Sequence, residues 1–108
     1  MARRVNRGEV WLYVFRKPDK QRPVLVLTRN DVIGLLHTVT VAPITSSIRG
    51  APGEVVVGVD EGLKHDSAVN LDHLQTVDRS ALHTCIGRLS PGKLRDVCTA
   101  VGIALGCR

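Results

Sequence analysis

Three sets of polar residues in this chain have types and positions that could do chemistry. Arg22 stands directly ahead of the apolar run at residues 23–28. A guanidinium anchored at its base by a strand reaches the strand's rim, where its planar fork suits two phosphate oxygens. A solvated charge at a strand end looks the same in sequence. Thr45-Ser46-Ser47 follows Pro43 at the end of another β-like run. Clustered hydroxyls can hold a phosphate oxygen or organise a nest of backbone amides, and ordinary turns use the same residues. Asp66, Asp72 and Asp78 recur at a spacing of six. Asp66 and Asp78 sit where turns and caps favour Asp. Asp72 lies between two apolar stretches, which predicts partial burial, with either a specific contact or a structural hydrogen bond.

Other chemistries find little support. The chain has no GxGxxG, Walker A, HExxH or GxSxG pattern. His37, His65, His73 and His83 lack the spacing of zinc ligands and read as surface or strand residues, so no metal site and no cofactor are expected. Cys85, Cys98 and Cys107 are odd in number and form no CxxC, which argues against a disulfide framework. Cys85 and Cys98 are expected to be buried as small apolar residues, and Cys107 to be a loose thiol.

These residues need elements to position them. Residues 1–6 read as a basic mobile arm. Residues 9–15 read as a strand that puts Trp11, Tyr13 and Phe15 on one face. Residues 16–21 make a charged turn. Residues 23–28 are continuously apolar, as in a strand buried on both faces or in a barrel wall. Residues 30–36 read as a loop. Residues 37–45 read as a third strand that ends in a loop at a proline. Residues 46–53, rich in Ser, Gly and Pro, read as the most flexible internal segment. Further strands are expected at 55–59, 67–71, 73–77 and 81–89. Ser90-Pro91 then starts a helix as N-cap and first helical residue. Its apolar stripe is Leu94, Val97, Cys98, Val101 and Leu105, with Gly102 costing about 1 kcal/mol relative to Ala. The sum is a mainly β (α+β) single domain over 1–108: a small barrel or curled sheet of six or seven strands with a C-terminal helix.

The formal net charge of the 108 residues is +5. Residues 1–54 carry nine basic and four acidic side chains, and residues 55–108 carry six of each, so all the excess lies in the first half. Such a field favours a polyanion or an acidic protein, although a basic rim on a soluble domain is equally compatible. Only three aromatics disfavour readers that stack several bases on rings. The apolar runs are far short of a membrane span, and the basic N-terminus leads into no apolar signal region, which predicts a cytoplasmic protein.

Six segments in register carry a resemblance. They are Arg7-Gly-Glu-Val-Trp11, Arg22-Pro-Val-Leu-Val26, Ala42-Pro-Ile-Thr-Ser46, Asp66-Ser-Ala-Val-Asn-Leu-Asp72, Gln75-Thr-Val-Asp78 and Ile86-Gly-Arg-Leu-Ser90. Together they resemble the MazF/PemK family of toxin endoribonucleases from type II toxin–antitoxin pairs. The resemblance implies an SH3-like barrel with a C-terminal helix, acting as a homodimer with a shared RNA groove. It implies metal-independent, sequence-specific cleavage of single-stranded RNA by attack of a 2′-hydroxyl, leaving a 2′,3′-cyclic phosphate and a 5′-hydroxyl. It implies neutralisation by a small antitoxin with an acidic tail.

The family's residues at the scissile phosphate match Arg22 and Thr45 here. RNA contacts are expected from Arg16, Lys17, Lys20, Gln21, Ser46, Ser47, Arg49 and Asp72. Asp72 matches a position implicated in RNA contact or catalysis in some relatives. The connection at residues 16–21 is shorter than in many relatives, which have a longer loop there, often with a Glu. A rival reading is a non-catalytic SH3-like binding module, such as a gyrase inhibitor or a nucleic-acid-binding partner, because the fold alone does not decide function.

Overall fold

A computed structural model describes residues 4–14 and 21–107. Seven antiparallel strands and two helices make up most of it: β1 (Glu9–Val14), β2 (Gln21–Val26), α1 (Asn30–Ile33), β3 (Thr38–Thr45), β4 (Glu54–Val57), β5 (Ser67–Asn70), β6 (Gln75–Asp78), β7 (Leu82–Arg88) and α2 (Pro91–Leu105). The strand order is β4-β5-β3-β2-β1-β7, with β6 also on β3. The expected mainly β fold with a C-terminal helix is therefore what forms. Among the described residues no helix is long and apolar enough to cross a membrane.

The unbroken apolar run of β2 follows from burial on both faces. Leu25 packs with Val10, Ala42 and Ile44 in one cluster, which also takes Val97 and Ala100 of α2. Its neighbours Val24 and Val26 pack with Trp11, Val39 and Val41 in the second cluster. A strand with period-two side chains has no polar face when both sides are covered. Trp11 and Tyr13 share the second cluster's face, as the alternation predicts, while Phe15 lies outside the described residues. Trp11 is buried, and its indole Nε1 donates to Glu9 Oε1 at 2.9 Å, which satisfies its one polar atom.

Strand β3 is the hub. Its first half pairs with β6 through Val41, and its end pairs with β5 from Ile44. The strand runs to Thr45, as expected, with Pro43 inside it. Pro43 falls in the gap between the two partner strands on that edge, where its missing N–H interrupts no β6 or β5 pairing. Between β5 and β6, Asn70 Oδ1 accepts the Asp72 N–H at 3.0 Å and turns the chain, while Leu71 is fully buried.

The sheet closes at a glycine seam. Gly62, at φ +95°, lies against the backbone of Ile86, and Gly87 lies against the carbonyl of Glu61. A β-carbon on either residue would overlap the opposing backbone. This contact joins the turn after β4 to β7, the far end of the strand order.

Five expectations are corrected. The segment 30–36 contains a helical turn, α1, anchored by buried Ile33, whose carbonyl accepts from Arg79 Nη1 at 2.8 Å. One turn is too short to show a helical period. The arm does not run free to residue 6: Val5 is 5% exposed in the second cluster, and the Asn6 N–H donates to Glu9 Oε1 at 2.8 Å. Strand β4 ends at Val57, and Val59–Glu61 form a 3-10 turn, with Val59 exposed. Cys85 and Cys98 are exposed rather than buried, and all three thiols are free. Of the α2 stripe, Leu94, Val97 and Val101 face the core as expected, but Leu105 is 60% exposed and Cys98 is exposed, and Ala100 and Ala104 take inward places instead. Alanine carries too weak an apolar signal to mark a face.

The start of α2 is as expected. The Ser90 hydroxyl accepts the Lys93 N–H at 3.2 Å, with Pro91 next to it. Ser90→Ala is expected to cost about 1 kcal/mol of stability, read as a lower urea midpoint at unchanged slope.

Candidate active site

The strand register builds the site. The β2–β3 pairs are Val24 with Pro43, Leu25 with Ala42 and Val26 with Val41. Pairing stops there: Arg22 lies two residues before Val24, and Thr45 two residues after Pro43, so both stand at the same end of the two strands, with Gln21 and Ser46 next to them in the chain. On its other side Arg22 pairs directly with Tyr13 of β1.

Gln21, Arg22, Thr45 and Ser46 border a cleft of about 670 Å³. Its apolar members are Leu12, Pro23, Ile44, Leu63 and Ile86. Its polar members are Gln21, Arg22, Thr45, Ser46, Lys64, His65 and Ser67. None of its described lining residues is a carboxylate, so the charged groups there are cations.

Thr45 is poised to donate. Its Oγ1 accepts the Ser47 N–H at 3.1 Å, which fixes the hydroxyl oxygen and leaves its proton to be given elsewhere. Ser46, Ser47 and Arg49 are exposed. The loop that carries them read as flexible in sequence, yet Glu54 Oε1 accepts the N–H groups of Arg49 and Gly50 at 3.1 and 3.0 Å. That carboxylate ties the loop to the start of β4.

The expected site residues separate into three groups. Gln21, Arg22, Thr45 and Ser46 come together at the cleft. Ser47, Arg49 and Asp72 do not line it. Asp72 is exposed, against the expected partial burial, and its Oδ2 lies 2.5 Å from where a Gly53 β-carbon would be. Leu71 takes the buried position beside it. Arg16, Lys17 and Lys20 lie outside the described residues. Lys64, His65 and Ser67 were not singled out for the cleft, because only the folding of β5 onto β3 brings them there. The other three histidines lie elsewhere, and among the described residues no group of three or more His, Cys, Asp or Glu could hold a metal ion. Partial desolvation of its sulfur is the main cause that pushes the Cys85 thiol up from its ordinary value, although the residue as a whole is exposed, and this disfavours the reactive thiolate.

The fold is thus a small β-sheet with a C-terminal helix, bearing a cleft whose polar lining is cations, hydroxyls and an amide. Residues 6–105 match the family described as PemK-like, MazF-like toxin of type II toxin–antitoxin system, and the chain belongs to that family. It is 41% identical over 103 residues to the probable endoribonuclease MazF5 of Mycobacterium tuberculosis, covering 94% of this chain and 93% of that one. Among solved structures it is similar to the Mycobacterium tuberculosis toxin MazF-mt6, with a TM-score of 0.84 and 37% identity over 94% of this chain and 99% of that chain. It is also similar to a MazE–MazF crystal structure from Deinococcus radiodurans, with a TM-score of 0.77 and 27% identity over 95% and 96% of the two chains.

Proposed function

We propose that this toxin is an endoribonuclease that cleaves single-stranded RNA at the cleft, without a metal ion. The observation that carries the reading is that Arg22 and Thr45, from the ends of two neighbouring strands, line one cleft together with other cations and hydroxyls. Family membership and the names of the relatives support the same activity.

Transesterification suits this group set. Attack of the 2′-oxygen on the adjacent phosphorus builds negative charge on the non-bridging oxygens. The Arg22 guanidinium and the Thr45 hydroxyl are donors for those oxygens, and preorganised donors act most strongly where charge develops. The products are a 2′,3′-cyclic phosphate and a 5′-hydroxyl. Incubation with RNA in EDTA tests the reading, and cleavage that requires Mg²⁺ would sink it. Thr45→Ala is expected to slow cutting by about 10²-fold, the loss of one neutral donor, at an unchanged melting temperature.

The chain works as a homodimer around a shared groove, with the net charge doubled. Its antitoxin presents an acidic tail that competes with RNA for the same cations. Both RNA and antitoxin affinities are therefore expected to fall with added salt, measured by titration at several salt concentrations. An affinity flat across that range would contradict the shared cationic site.

A further inference from the structure

Arg22 and Thr45 are donors, and neither can take up the proton that the attacking 2′-hydroxyl must lose. Arginine stays protonated, and a hydroxyl is too weak a base. Of the side-chain types lining the described cleft, imidazole is the one that exchanges protons near neutral pH. It belongs to His65, which lines the cleft together with Arg22 and Thr45.

We infer that His65 is the general base of the cleavage centre, its Nε2 taking the proton of the 2′-hydroxyl. The assignment rests on the RNA-cleavage reading above. His65 is exposed but rides on a fixed backbone. Leu63 and Ser67 flank it as buried anchors, and Ser67 Oγ donates to the His65 carbonyl at 3.1 Å. The ring Nδ1 lies 3.4 Å from the Asp66 carbonyl oxygen. A carbonyl only accepts, so in the neutral ring the contact favours the proton on Nδ1 and leaves the Nε2 lone pair open.

The other charged side chains that line the described cleft are Arg22 of β2 and Lys64, next to His65 in the chain. The Asp66 carboxylate turns to Gly58 instead, its Oδ1 being 2.7 Å from where a Gly58 β-carbon would lie. In the step itself the O2′–P bond forms and the P–O5′ bond breaks. The 2′-proton passes to Nε2, the leaving 5′-oxygen takes a proton from water, and the imidazolium returns its own to solvent.

The test is single-turnover cleavage of a short single-stranded RNA by wild type and His65→Gln, from about pH 5 to about pH 9. Wild type is expected to lose rate on the acidic side of that range, as a rate that needs an unprotonated base does. His65→Gln is expected to be slower by about 10²–10⁴-fold, with the acidic limb gone and the melting temperature unchanged. An acidic limb that persists in His65→Gln overturns the assignment. So does recovery of His65→Gln on RNA whose 5′-bridging oxygen is replaced by sulfur, since that leaving group needs no acid and its rescue would make His65 the acid. Wild-type cleavage with an equally fast His65→Gln sinks this inference alone. A wild type that cuts no RNA sinks the cleavage reading and takes this inference with it.

Discussion

Arg22→Ala is expected to lower kcat/KM for RNA cleavage by about 10³-fold, or roughly 4 kcal/mol of transition-state stabilisation. Arg22 is exposed at the end of β2, so its removal leaves the two apolar clusters intact. Thermal melting should shift by less than about 2 °C, the small effect of a surface substitution. Arg22→Lys keeps the charge but loses the planar fork, and is expected to recover about tenfold of the lost rate. The Ala variant should lose kcat more than it raises KM, because the guanidinium is placed to meet charge that appears only as the phosphorane forms. A pure rise in KM would reduce Arg22 to uniform phosphate binding. A variant that cuts at the wild-type rate would remove Arg22 from the site.

The second large effect falls on the fold. Gly87→Ala puts a β-carbon into the Glu61 carbonyl, and the atoms that would have to give way are backbone. The expected cost is about 3 kcal/mol or more, which in a domain of this size lowers the melting temperature by roughly 12 °C or more. Gly62→Ala meets the same seam from the other side and adds the strain of its positive φ. Because the Gly62–His65 segment lines the cleft, Gly87→Ala should also depress RNA cleavage below the temperature at which the protein melts. A Gly87→Ala protein with wild-type melting would show that the seam opens at little cost, and that closure of the sheet is not what holds Lys64 and His65 in place.

Much of this protein was legible from residue order alone. The alternation of β1, the unbroken apolar run of β2 and the Ser90-Pro91 start of α2 are local patterns with local causes. So were Arg22 and Thr45 as phosphate-facing candidates, since each lies at a strand end in a motif of its own. The helical turn at Asn30–Ile33 was not legible, because one turn carries no period and its anchor is a burial partner distant in sequence. Nor was the outward position of Cys98, because the neighbouring Ala100 takes the inward place.

Sequence by itself determined the family, the strand-and-helix content, and which residue types could meet a phosphate. Tertiary structure alone decided that Arg22 and Thr45 line one cleft, because that depends on the pairing of β2 with β3, and a slip of one residue in register would turn every side chain to the other face. It also decided which histidine of four shares their cleft. His65 reaches it because β5 folds back onto the end of β3 and because two glycines let the sheet close. Both are contacts between residues far apart in the chain, and no local spacing encodes them.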